Sequence, residues 1–215
     1  MAEQLTIFGT VLVMMIVDFK KMALEFKKFF GLTPSQSFPA LTIAEIKLCE
    51  ADSNFMFSII ADKDWNYKDS VQACYRHSAN SHEIRIRESV YNKARSGNKQ
   101  ALYSIAHEIS HWALLNYSGM DFDIKEYQQL TPAAKAAFLT INENIADLLT
   151  TLLIYSEEEL LNAQSAGDLE YNSCMSETQI SLALYYCKNY KMLVENFVKN
   201  FLPQFVNTKA VGRIE

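Results

Sequence analysis

The sequence has little of what staples or interrupts a small protein. Four cysteines stand among 215 residues, at 49, 74, 174 and 187, and none form a C-x-x-C pair. A thiolate zinc knuckle of the usual spacing is therefore excluded. Their scatter fits a reducing compartment, with thiols used as small buried apolar groups. Six glycines and four prolines are too few for a collagen-like or low-complexity chain. Positive charge is not in excess either: 20 Lys and Arg face 25 Asp and Glu, a net charge of −5, so a general nucleic-acid binder with a basic face is not expected. Repeats and a clear domain linker are absent. What is present, 49% hydrophobic and 21% charged residues, is the composition of a folded chain long enough to bury a core without staples.

Long hydrophobic runs are also missing. The nearest is "LTIFGTVLVMMIVDF", Leu5 to Phe19, which Asp18 interrupts short of the roughly 18 residues a spanning helix needs. Nothing basic precedes it and no small-residue cleavage site follows. A buried helix or strand is expected there in preference to a signal anchor, with a start at Met14 or Met15 as a further alternative. The expected setting is the cytoplasm, away from membranes.

From Asp18 the period is helical. Phe19, Met22, Ala23, Phe26, Phe29 and Phe30 share one face, and Lys20, Lys21, Glu25, Lys27 and Lys28 the other. Gly31 and Pro34 supply a stop. Leu41 to Arg87 reads as strands. "IAEIKLCE" and "NFMFSIIA", joined by the turn-like "ADSN", predict a hairpin. "HEIRIR", His82 to Arg87, alternates Ile84 and Ile86 against Glu83, Arg85 and Arg87, as a half-buried strand at a sheet edge would. A short helix over Glu88 to Ala94 and a turn at "SGNK" follow. Lys99 to Tyr117 is helical, with Leu102, Ile105, Ala106, Ile109, Trp112 and Ala113 as its apolar stripe and Gly119 to end it. Thr131 and Pro132 open another helix as N-cap and first residue, reaching about Ser156. A third long helix covers about Ser176 to Phe201.

The fold class predicted is α+β: a small twisted, mostly antiparallel sheet packed against the Lys99–Tyr117 helix, with a largely helical C-terminal half. One domain is expected. It comprises an N-terminal helical region (about 1–37), a sheet region (38–98), two site-bearing helices (99–156) and a helical C-terminal region (157–215).

Chemistry concentrates in "LYSIAHEISHW", which holds His107, Glu108 and His111 as H-E-x-x-H. Two histidines four apart lie on one helix face about a turn of rise apart, so both imidazoles can address one ion. The intervening Glu108 can sit beside that ion without binding it and act as a base. A third ligand is required. The four histidines are His77, His82, His107 and His111, and none follows His111. That excludes a metzincin arrangement and leaves a carboxylate, a cysteine or an upstream histidine.

The helix after Thr131 supplies "NENIAD", with Glu143 and Asp147 four apart on one face of an otherwise apolar segment. Two acids there are costly unless paired or metal-bound. Glu143 is the candidate third ligand. Asp147 is the candidate acceptor for the other ring N–H of a ligating histidine, which would fix its tautomer. The plainer alternative is that both acids face water on an amphipathic helix.

"HEISH" followed by "NENIAD" resembles the gluzincin pattern of thermolysin-like peptidases. "IRIRESVYNKARSGNKQALYSIAHEISHW" together with the later Glu143 and Ala146 resembles the ImmA/IrrE family of small metallopeptidases over about Ile84 to Ile154. The chain departs from that family in reading "LLIYS" where "LLMP" is common, and in having Tyr103-Ser104 where a threonine is frequent. The resemblance implies Zn2+ on His107, His111 and Glu143, Glu108 as the catalytic base, and Asp147 behind a ligating histidine. It also implies a protein substrate, such as a transcriptional repressor or an antitoxin-like partner.

The expected reaction is hydrolysis of a peptide bond. Glu108 would take a proton from water at the open metal position and pass it to the leaving amine. Tyr155, Tyr127, His82 and His77 are candidates for a further oxyanion donor, each with ordinary packing or a solvated side chain as the simpler alternative. "HEIRIR" is a candidate edge for a substrate strand. Two other functions compete: a metal-binding interaction protein that cleaves nothing, and a structural domain with a fortuitous motif.

Overall fold

The computed structural model describes residues 18–78, 81–117, 132–163, 168–169 and 179–189. The Leu5–Val17 run, Gly119, Tyr127, Thr131 and the outer parts of the third long helix lie outside the described residues.

Helix α1, Phe19–Phe29, starts where the Asp18 side chain accepts the Lys21 N–H at 3.0 Å, an N-cap that fills one of the orphan donors of the first turn. Phe19, Met22, Ala23 and Phe26 are buried as their spacing predicts. Gly31, at φ +73°, follows the helix in the left-handed conformation that glycine adopts without strain. Two residues depart from the expected faces. Phe29 is 56% exposed, and Lys27, placed on the polar side by period alone, is buried at 2%.

The next segment corrects the predicted hairpin. "IAEIKLCE" is helical, not a strand: α2 runs through Ala40–Thr42, a π-helical stretch Ile43–Lys47, and Leu48–Ala51. The residues it buries are Ala40, Ile43, Ala44 and Leu48, a three-to-four-residue period that outweighs the β-branched character of its isoleucines. Pro39, at its N-cap, suits a position that need not donate a backbone hydrogen bond.

Strands β1 (Phe55–Ile60), β2 (Ala73–Ser78) and β3 (Ser81–Arg87) form a sheet of order β1-β3-β2. β1 pairs with β3 in parallel and β2 pairs with β3 antiparallel. The sheet is therefore mixed rather than mostly antiparallel, and "HEIRIR" is its central strand rather than an edge. The alternation of β3 is real, with Ile84 and Ile86 fully buried. Its polar side is held in place by ion pairs: Arg85 to Glu83 at 2.8 Å and Arg87 to Asp62 at 3.0 Å.

The remaining described elements are helical: α3 Glu88–Arg95, α4 Lys99–Tyr117, α5 Pro132–Ile154, α6 Glu157–Asn162, and α7 over 179–189. Gly97, at φ +82°, makes the turn between α3 and α4. The expected helix from Pro132 to about Ser156 is α5, which stops at Ile154, and a short helix that was not expected, α6, follows it. Ser156 caps α6 through a reciprocal capping box with Glu159. A single cluster of buried residues runs from α1 through the sheet to α4, α5 and α7. The architecture is mixed α+β. No helix among the described residues is long and apolar enough to cross a membrane.

Candidate metal centre

Helices α4 and α5 meet across small side chains. Ala106, Ser110, Ala146 and Thr150 are all buried, and Ser110 Oγ meets Thr150 Oγ1 at 2.9 Å between the helices. Around this seam Ile105, Ile109, Trp112, Ile145, Leu148 and Leu149 fill the core. The apolar stripes fix the rotation of each helix, and with it the direction of the polar residues beside them. His107 and His111 project from α4 toward Glu143 on α5.

Donor atoms of three side chains converge there, with both carboxylate oxygens of Glu143 facing the imidazoles. His107 Nε2 lies 3.0 Å from Glu143 Oε2 and 3.1 Å from His111 Nε2, and His111 Nε2 lies 3.6 Å from Glu143 Oε1. Tetrahedral zinc with ligands at its usual bond lengths separates neighbouring donors by about 3.3 Å. The three separations bracket that figure. His107, His111 and Glu143 therefore form a group that could hold a metal ion, and the chemistry of the set, two imidazoles and a carboxylate, suits zinc.

The proton arrangement points the same way. His107 Nδ1 is 2.9 Å from Asp147 Oδ1, although the ring N–H is not well aligned with it as a hydrogen bond. This neighbour assigns the proton of a neutral ring to Nδ1. Nε2 then directs a lone pair at a carboxylate and at a second imidazole, which is repulsive unless a positive charge lies between them. A metal ion supplies that charge. Without one, a second proton on His107 must. Burial alone would depress the His107 pKa, but the carboxylates of Asp147 and Glu143 outweigh it and push the pKa up to about 10. Glu143 is held well below the usual carboxylate range by hydrogen bonds from His107 and His111.

Asp147 is itself clamped. Tyr103 donates to Oδ1 at 2.7 Å, and Gln179 Nε2 donates to Oδ2 at 2.7 Å. Burial would raise its pKa, but the contacts with His107, Gln179 and Tyr103 hold it low. Asp147 thus remains charged, and the alternative that both acids simply face water does not describe it. Tyr103 carries a signal in sequence, four residues before His107 on the same helix. Gln179, on α7, carries none.

Glu108 is 9% exposed and lines the same groove as His107 and Glu143, a cavity of about 340 Å³. Its Oε2 accepts the Tyr75 main-chain N–H at 2.6 Å. Oε1 has no protein partner among the described residues. Burial pushes the Glu108 pKa up, against the opposing charge of His107 and His111.

Tyr75, which the sequence did not single out, lies on β2, the strand at the sheet edge beside α4. Arg87 N–H bonds Gln72 O at 3.2 Å. By antiparallel alternation the main-chain groups of Ala73, Tyr75 and His77 then point away from β3. The Tyr75 ring lies parallel to that of His111, with centroids 6.5 Å apart. Its hydroxyl meets His82 Nδ1 at 2.6 Å. His77 is exposed and stacks on His82. Tyr155 is not brought to the centre: it is 4% exposed and lines a different cavity, against α1.

A mixed α+β chain with a His-His-Glu group on two packed helices is the class that fold and geometry define. Comparison with protein-family models, curated proteins and solved structures found no match.

Proposed function

We propose that this chain is a zinc-dependent endopeptidase of the gluzincin type, similar to the ImmA/IrrE family. It acts in the cytoplasm on a specific protein such as a transcriptional repressor or an antitoxin-like partner. The observation that carries this reading is the convergence of His107, His111 and the Glu143 carboxylate, with donor atoms 3.0, 3.1 and 3.6 Å apart, and a buried glutamate next in sequence to the first donor.

Zinc in this cage contributes Lewis acidity, which lowers the pKa of water and polarises a carbonyl. The chain does the rest. Asp147 fixes the His107 ring, and Tyr103 and Gln179 fix Asp147. Tyr75 N–H holds Glu108 Oε2, leaving Oε1 to take a proton from the attacking water and return it to the leaving amine. Burial raises the basicity of that carboxylate, as general-base work near neutral pH requires. A substrate strand adds along the outer edge of β2, which pairs with no other strand among the described residues, rather than along "HEIRIR", because β3 is hydrogen-bonded on both sides. Ala73 and His77 offer main-chain groups there, the Tyr75 N–H being held by Glu108. The Tyr75 hydroxyl, paired with His82, joins His82 and His77 as a candidate oxyanion donor, and Tyr155 leaves that group.

One contact favours the alternative of a metal-binding interaction protein that cleaves nothing: the 2.6 Å bond from Tyr75 N–H already occupies half of Glu108. Glu108→Gln separates the two readings. Zinc-loaded wild type and variant are added to a cell lysate, and newly formed protein N-termini are labelled and counted by mass spectrometry. The variant should bind zinc equally and form new termini at least about 10³-fold more slowly, since its base is gone. Equal cleavage by Glu108→Gln, or none by the zinc-loaded wild type, defeats the peptidase reading.

A further inference from the structure

Lys27 is a buried cation that the metal centre does not use. Its side chain is 2% exposed, and Nζ donates to the Pro34 carbonyl at 2.9 Å. An ammonium has three N–H donors. No carboxylate among the described residues lies within ion-pair distance of this one. Glu159 is the acid whose charge it feels, but Glu159 Oε2 is engaged by Ser156 N–H and Oγ, each at 2.7 Å. Burial holds the Lys27 pKa below the ordinary lysine value. A buried ammonium with one neutral acceptor is an expensive arrangement for a fold to keep.

Lys27 also forms part of the wall of a cavity of about 460 Å³, within the range of roughly 300–1,000 Å³ typical of pockets for small organic ligands. Ala23 and Leu24 of α1 and Leu152 and Tyr155 at the end of α5 supply apolar wall. Pro34, Ser35, Ser156, Glu157 and Glu158 complete the lining, with Lys20 paired to Glu157. None of these residues belongs to the groove around His107. Along α5, Leu152 is roughly 14 Å of helix from Glu143. The cavity is a second, separate site.

The wall chemistry defines its occupant. One buried ammonium with donors to spare calls for a single anionic group. Lys20 and Glu157 in the same wall offset each other as an ion pair, and Glu158 disfavours a second negative charge. The apolar remainder calls for a hydrocarbon body. We propose that the cavity between α1 and the end of α5 binds a monoanionic amphiphile, a carboxylate on an apolar body of about ten carbons, with the carboxylate accepting from Lys27 Nζ.

Isothermal titration of the full chain with sodium decanoate, below its micelle concentration, tests this. Decanol, decylamine and decyl phosphate serve as comparisons. Wild type should bind decanoate saturably at one site, and each comparison compound at least tenfold more weakly. Lys27→Met should weaken decanoate at least tenfold while circular dichroism shows the native fold. Leu152→Trp, which takes up cavity volume and leaves Lys27 in the sequence, should do the same while keeping the native circular dichroism, and decides the matter should Lys27→Met not fold. Absence of saturable binding by wild type overturns the proposal, as does undiminished binding by the folded variant or decanol binding as tightly as decanoate. Decyl phosphate binding more tightly than decanoate overturns the monoanion assignment.

Discussion

His107 is held from both ends, by Asp147 at Nδ1 and by Glu143 and His111 at Nε2. In the metal-free protein a second proton replaces the ion, and the pKa of about 10 gives this a pH signature. A group raised above its unfolded value of about 6.5 contributes stability that is complete below that pH and is lost as pH rises through its folded value. For His107 the loss runs from about 6.5 to about 10. Glu143, held low, behaves oppositely, with a contribution present above its unfolded value of about 4.5 and lost in acid. Metal loading at pH 7 must expel the His107 proton, so zinc binding should release about one proton from this residue. Calorimetry in buffers of different ionisation enthalpy measures it, and zinc uptake with no proton release would contradict the arrangement. Asp147→Asn should keep the fold but weaken zinc binding about 10–100-fold, because the ring loses its charged support. Competition with a chromogenic chelator reads that shift, and unchanged affinity would remove Asp147 from the centre. The candidate ligand residues were legible in sequence because H-E-x-x-H fixes two side chains on one helix face, and because acids in an apolar helix require a reason. Tyr75 was not legible, since its part is played by a backbone N–H that any residue would offer.

At the scale of the element, periodicity succeeded where one face is strongly apolar. The expected Lys99–Tyr117 helix has the same bounds as α4, and its stripe of Ile105, Ala106, Ile109, Trp112 and Ala113 is buried. It failed over residues 43–50, where isoleucines and short length favour a strand by propensity while Ala40, Ile43, Ala44 and Leu48 pack as a helix. Propensity is a weak signal against tertiary packing. "HEIRIR" shows a different limit: alternation identifies the faces of a strand but not its neighbours, and β1 and β2 enclose β3. The helix expected to end near Ser156 does so at Ile154, and the helix after it, which was not expected, had a readable cue: Ser156 followed by Glu159 forms the capping box that opens α6. Ser156→Ala should destabilise the protein by about 1 kcal/mol and lower Tm by about 2–4 °C. A thermal melt unmoved by the change would show that α6 does not depend on its cap.

Across the whole molecule, the centre is assembled from parts far apart in sequence. The candidate ligands come from α4 and α5, the contact to Glu108 from β2 and the clamp on Asp147 from α4 and α7. The α+β class and the two ligand-bearing helices follow from local pattern. The order of the strands and the reach of Gln179 to Asp147 across 32 residues depend on long-range packing that one sequence does not display. The central claim concerns one ion shared by two helices. Anomalous diffraction from crystals of the zinc-loaded chain, recorded on both sides of the zinc edge, tests it most directly. The account predicts a single strong peak about 2.0–2.2 Å from His107 Nε2, His111 Nε2 and a Glu143 carboxylate oxygen. A zinc-loaded crystal with no peak among these three atoms, or a peak held by the histidines with Glu143 turned away, would contradict it.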